Sequence, residues 1–186
     1  MPADTPRRRL DLVPAGGVSL PLLAAIGQAV DAALGTAHRV APSLDTPFRW
    51  NTKPGMRSGA VLDALLARAR AEGGEGALLL AVTGAALVAD DGSVVFGEAA
   101  VGGGCAVLGL GGLDRGKRCD EKTLTERARK GAIHEAAHAI GMDHCANPSC
   151  VMYPARDIAD VDRKAIGFCA RCRMDLAHAT LDAARV

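Results

Sequence analysis

Between His134 and Cys145 the chain reads HEAAHAIGMDHC, a run that holds three of its five histidines. On a helix ending at Gly141, His134 and His138 lie four apart and share one face, so their imidazoles can grip one metal ion. Glu135, next to the first ligand, is placed to reach a metal-activated water rather than the metal. Gly141 can adopt the left-handed conformation that ends a helix, and the turn after it brings His144 back as a third ligand. Three neutral nitrogens leave a fourth zinc position open, the arrangement of a catalytic centre rather than a structural one. The alternative, an amphipathic helix with surface histidines, explains neither Gly141 nor His144.

A second set of ligand types follows at once. Cys145 and Cys150 form a C-x4-C pair, and Cys169 and Cys172 a C-x2-C pair. Four thiolates at these spacings suit a closed tetrahedral zinc, which supplies folding energy to an element without a core of its own. Two disulfides or free buried thiols are the other readings. Cys105 and Cys119 fall outside the pattern and read as buried thiols, with a bridge between them left open. Met152 and Tyr153 lie between the two cysteine pairs. Tyr153, the only tyrosine, is read either as an oxyanion donor or as a packing residue.

These residues need elements to hold them. Residues 8–13 alternate as a first strand. A helix follows from about Pro21 to Leu34, with Ser19 as cap, Gly35 as stop, and Leu22, Leu23, Ile26, Val30 and Leu34 as its apolar stripe. A short strand near His38–Ala41 leaves His38 on the surface. Residues 42–57 read as a long loop carrying Trp50, and Ser58 opens a helix to about Ala71. Leu78–Val82 is a continuous apolar run, as in a central strand buried on both faces. Further strands are expected at Val94–Phe96 and Ala106–Leu110. The segment 93–101 is the candidate edge strand for pairing with an extended peptide. The active-site helix is predicted from Thr123 to about Gly141, with Thr123 and Glu126 as a capping box. The last helix, about 171–184, leaves His178 on the surface. Alternation of strands and helices predicts an α/β sandwich with the histidine helix beneath the sheet.

At 186 residues the chain is expected to form one domain. Residues 1–120 would be its sheet-rich part, 121–144 the active-site helix and third ligand, and 145–186 the four-cysteine element and last helix. Aromatics are only 3% of residues, so Ala, Val, Leu and Ile must build the core. Lys+Arg 22 against Asp+Glu 21 excludes the strong basic field of a nucleic-acid binder. Arg7-Arg8-Arg9 and the apolar run 18–30 loosely imitate a secretion signal, but Asp11, Asp31, Pro14, Gly16 and Gly17 interrupt it. No run reaches the roughly 18 apolar residues of a membrane span. The expectation is a monomer without membrane or nucleic-acid partners.

The spacing H-E-x-x-H-x-x-G-x-x-H is the metzincin signature. The chain also resembles the archaemetzincins, whose motif H-E-x-x-H-x-x-G-x3-C-x4-C-x-M precedes a distant C-x-x-C. His134, Glu135, His138, Gly141, Cys145, Cys150, Met152, Cys169 and Cys172 supply it in order. LDLVPAGGV, RSGAVLDAL and VFGEA look similar too. Two departures are visible. Sixteen residues separate Met152 from Cys169, where one more is typical, and Gly84 stands where an acidic residue often follows Val-Thr.

The resemblance implies an α/β (α+β) metzincin-like sandwich, a mixed twisted sheet on an active-site helix with a C-terminal four-cysteine zinc element. It implies two zinc ions per chain, one catalytic on His134, His138 and His144 and one structural on Cys145, Cys150, Cys169 and Cys172. Met152 would be the apolar Met-turn floor, and Glu135 the general base that hydrolyses peptide or protein substrates with a zinc-activated water. It also implies a cytoplasmic protein. Two rival readings are a non-catalytic zinc-binding interaction module, for which Arg163, Lys164, Arg171 and Arg173 supply local positive charge, and a zinc hydrolase acting on a non-peptide amide.

Overall fold

The computed structural model describes residues 8–44, 55–72, 76–116 and 119–183. Its elements are β1 (Arg9–Pro14), α1 (Leu20–Leu34), β2 (Ala37–Val40), β3 (Met56–Arg57), α2 (Ser58–Ala71), β4 (Leu78–Thr83), β5 (Leu87–Val88), β6 (Val94–Val95), β7 (Gly97–Ala100), β8 (Cys105–Gly109), α3 (Glu121–Ala139), α4 (Ile158–Arg163) and α5 (Ala170–Ala183). The main sheet has the order β2-β1-β4-β8-β7. Its first four strands are parallel, and β7 returns antiparallel along β8 as the edge. A small second sheet, β3-β5-β6, was not foreseen in the sequence because two-residue strands carry no periodicity.

The two-fold alternation of strand side chains divides the core. Leu78, Leu80 and Val82 of β4 join Leu10, Leu12 and Leu108 against α1 and α3, whereas Leu79 and Ala81 meet Val61, Leu62 and Leu65 of α2 on the other face. All six residues of β4 are buried, as the unbroken apolar run predicts. The expected sandwich therefore has helices on both faces of the sheet.

Local chemistry sets the helix ends. Ser19 caps α1 by accepting from the Leu22 N–H, and Gly35 closes it at φ 70°. For α3 the cap is Asp120, whose carboxylate accepts from the Thr123 N–H at 2.7 Å, rather than the Thr123–Glu126 box. An aspartate outside the helix can reach that orphan donor; Thr123, already inside the first turn, cannot serve as cap. His38 is not a plain surface residue either, since its Nδ1 meets Asp31 and its ring packs over Gly27. Gly84 also finds a reason: a Cβ there would lie 2.7 Å from the Gly17 carbonyl oxygen. Trp50 and Gly73-Gly74 lie outside the described residues. Cys105 and Cys119 are both free thiols, Cys105 buried on β8 and Cys119 near the Leu113 carbonyl, so no bridge joins them.

The C-terminal end of α3 is closed twice. The Met142 N–H donates to the Ala137 carbonyl and the Gly141 N–H to the His138 carbonyl, the paired bonds of a left-handed helix stop, with Gly141 at φ 101°. The Gly102 N–H also donates to the His138 carbonyl and the Gly104 N–H to that of Ala139. The glycine run of the β7–β8 turn thus satisfies carbonyls that a helix end leaves orphaned.

Candidate active site

Backbone carbonyls of the chain that follows α3 fix His134 and His138 by their far nitrogens. His138 Nδ1 lies 2.6 Å from the Met142 carbonyl oxygen, and His134 Nδ1 lies 2.9 Å from that of Val151. A carbonyl only accepts, so both Nδ1 atoms must donate and both Nε2 atoms carry lone pairs. Those two Nε2 atoms face each other at 3.2 Å. Two lone pairs that close repel unless a cation lies between them. Tetrahedral zinc with nitrogen ligands would set them about 3.3–3.4 Å apart. His144 completes the group, all three rings offering nitrogens within 4.8 Å of one another. Burial lowers the pKa of each histidine, that of His134 most, and keeps the imidazoles neutral as ligation requires.

Glu135 is buried beside this triad, and burial pushes its carboxyl up to about 8. Gly97 of the edge strand β7 crosses directly over it. A Cβ at Gly97 would stand 2.5 Å from Glu135 Cγ and 2.6 Å from Cδ. Only a glycine lets the strand pass so near the carboxylate. The segment 93–101 expected to be a single strand is broken at Phe96: Val94–Val95 pairs with β5, and only Gly97–Ala100 borders the main sheet.

A cleft of about 420 Å³ opens here between β6–β7, α3 and α4. Val95, Phe96, Leu113, Gly131 and Val161 give it apolar walls, and His134, Glu135, His138, His144 and Lys164 give it chemistry. Tyr153 is not among its lining residues; its carbonyl oxygen accepts from Lys164 Nζ at 3.1 Å and its backbone N–H donates to the Cys150 carbonyl. Lys164, which the sequence offered as local surface charge, is buried. No local pattern announces it, because it caps α4, a six-residue helix too short to show a period. Arg127 is a second omission. Its guanidinium pairs with both oxygens of Asp162 and donates to the Leu113 and Arg115 carbonyls, holding α4 on α3.

The cysteines gather one residue beyond the third histidine. The sulfurs of Cys145, Cys150, Cys169 and Cys172 lie within 4.8 Å of one another, with Cys145 and Cys169 3.8 Å apart. Zn–S bonds of about 2.3 Å in a tetrahedron put sulfurs about 3.8 Å apart. Backbone N–H groups of Asn147 and Cys169 point at Cys145 Sγ and Cys150 Sγ, as suits thiolate acceptors. Hydrogen bonding, chiefly from the Cys172 backbone, lowers Cys169 to about 7. Met152 is fully buried, and its carbonyl accepts the Cys145 N–H. The donor sets fit zinc at both places.

Comparison with known proteins agrees with this geometry. The model for "Peptidase family M54" matches residues 75–178. The chain belongs to peptidase family M54. The archaemetzincin resemblance of the motif therefore holds. The archaemetzincin of Archaeoglobus fulgidus is 42% identical over 93 residues, covering 50% of this chain and 56% of that protein. That of Methanocaldococcus jannaschii is 39% identical over 98 residues, covering 51% and 55%. The matched segments thus span about half the length of these archaemetzincins. The crystal structure of the Methanopyrus kandleri archaemetzincin superposes with a TM-score of 0.78 at 29% identity, over 94% of this chain and 96% of that one. A zinc-dependent peptidase from Methanocorpusculum labreanum gives 0.78 at 25% identity, over 90% and 99%.

Proposed function

We propose that this chain is a zinc metallopeptidase that hydrolyses peptide bonds in the cleft between β7 and α3. The observation that carries the reading is the pair of Nε2 lone pairs held face to face at 3.2 Å beside a buried glutamate. His134, His138 and His144 would hold the catalytic zinc, and Cys145, Cys150, Cys169 and Cys172 a structural one. Zinc bound by the histidines supplies a Lewis acid that acidifies water and polarises a carbonyl.

The chain's own groups do the rest. In its ionised form, which the charge of zinc on the neighbouring histidines would favour against the burial that favours the neutral one, Glu135 takes a proton from the attacking water and delivers it to the nitrogen of the leaving amine. The free edge of β7 offers backbone N–H and C=O groups to an extended peptide, and the apolar walls receive a side chain next to the scissile bond. Met152 would form the apolar floor beneath the catalytic zinc. Two cysteines left as thiols and four grouped as ligands rather than bridged suit the reducing, cytoplasmic compartment that we propose. Among the described residues no helix is long and apolar enough to cross a membrane. The positive charge invoked for the interaction-module reading is largely spent within the chain. Arg163 pairs with Asp160, Arg173 donates to the Phe168 carbonyl, and Lys164 is buried.

The test is mass-spectrometric cleavage profiling of a peptide library by wild type and Glu135→Ala, each assayed for zinc. Cleavage by the wild type alone is expected. Cleavage by both proteins would remove Glu135 from its role, and none from protein holding two zinc ions would count against the peptidase.

A further inference from the structure

Lys164 is 4% exposed, yet its Nζ makes one hydrogen bond among the described residues, to the Tyr153 carbonyl oxygen at 3.1 Å. An ammonium has three donors, so two are left without a partner among the described residues. A buried cation in that condition is costly unless something else completes its shell. Lys164 lines the same cleft as Glu135 and the three histidines, and its charge bears on all four. Lys164 and Glu135 form no ion pair within 4.0 Å among the described residues. Both line the same cleft. Burial lowers Lys164 to about 8, which still leaves it mainly protonated at neutral pH.

Resting on the peptidase reading, we infer that Lys164 is a further catalytic residue, donating a hydrogen bond to the scissile carbonyl oxygen as that oxygen becomes an anion. When the water oxygen bonds to the carbonyl carbon, the π pair moves onto the carbonyl oxygen and Glu135 holds the water's proton. The negative charge then lies where the spare donors of Lys164 can meet it. On collapse the pair returns, the C–N bond breaks, and the proton passes from Glu135 to the amine. Lys164 keeps its own proton throughout. Its bond to Tyr153, one residue past Met152, anchors the ammonium so that little reorganisation is needed. A merely structural lysine tying α4 to that turn would use this one bond and gain nothing from two idle donors over the cleft.

The experiment compares wild type, Lys164→Met, Lys164→Gln and Lys164→Arg, all checked for zinc content and thermal midpoint. Lys164→Gln keeps a donor for the Tyr153 carbonyl, so it separates loss of charge from loss of that tie if Lys164→Met folds poorly. For a peptide that the wild type cleaves, kcat should fall about 10²-fold or more in the Met and Gln variants with KM within about twofold. Lys164→Arg should recover part of it. Affinity for a phosphonate peptide, a tetrahedral anion in place of the scissile amide, should fall in parallel, while affinity for a matching uncleaved peptide stays constant. A kcat within threefold of wild type in Lys164→Gln would overturn the assignment. So would equal losses for peptide and phosphonate, or a loss confined to KM and to peptides bearing an acidic side chain, which would make Lys164 a recognition group. A zinc-loaded wild type that binds neither compound would sink the peptidase reading itself, and this inference with it.

Discussion

His144 and Cys145 are neighbours in the chain, yet they serve two groups built on opposite plans. The histidine group has neutral bases, ring orientations locked by the Val151 and Met142 carbonyls, and one side open to a cleft. The cysteine group offers four sulfurs and backbone N–H groups aimed at them, and it ties residues 145–152 to the start of α5. Three ligands and a vacancy suit turnover, whereas four ligands and no vacancy suit cohesion. The two are coupled, because the Met152 carbonyl holds Cys145 and the preceding Val151 carbonyl orients His134.

That asymmetry is open to attack at several points. Cys172→Ser should have the largest effect, since a structural zinc contributes on the order of 10 kcal/mol to the fold that binds it. Both zinc ions should be lost together and the thermal transition should broaden or vanish. His138→Ala, by contrast, should lose one zinc and keep a cooperative melt. A Cys172→Ser protein that retained its histidine zinc would show that the groups are independent. Glu135→Ala should keep both ions and lower kcat by roughly 10²- to 10⁴-fold, read by zinc analysis alongside turnover.

Gly97→Ala is a milder probe of the open side. The added methyl must push Glu135 or the β7 edge aside at a cost of about 1–3 kcal/mol. Activity should therefore drop with little change in zinc content, and equal kcat in the two proteins would remove Gly97 from the site. The smallest effect lies far from either metal group. The hydrogen bond from Arg39, aided by Arg9, holds buried Asp11 below the usual carboxylate range. A depressed folded-state pKa adds stability above the unfolded value, about pH 4, that disappears as pH falls through the folded one. Asp11→Asn should thus be less stable at pH 7 and flatten the acid limb of the melting curve, without touching zinc stoichiometry.

Much of this was legible in the residues. The central strand, α1 with both its ends, the span of α2 and both ligand sets follow from apolar periodicity, capping chemistry and ligand spacing, all of which act within a few residues. What failed to show was of another kind. Asp120 displaced the expected cap because the helix begins at Glu121, which leaves Asp120 outside it to accept the Thr123 N–H and puts Thr123 inside the first turn. Nothing local in the glycines 102–104 shows that two of them close the helix that carries the histidines. Lys164 read as surface charge because α4 is too short to declare a buried side.

The sequence by itself determined which residues can ligate and in which order, because donor types and i, i+4 spacing are local properties of the chain. Tertiary structure alone decided which nitrogen of His134 and of His138 is left free for a metal, that Gly97 rather than a side chain crosses Glu135, and that Lys164 lines the cleft. Each of these depends on a partner 4 to 38 residues away in the chain. The reason is physical: the groups that orient or crowd a side chain meet it only after the backbone has been folded past it.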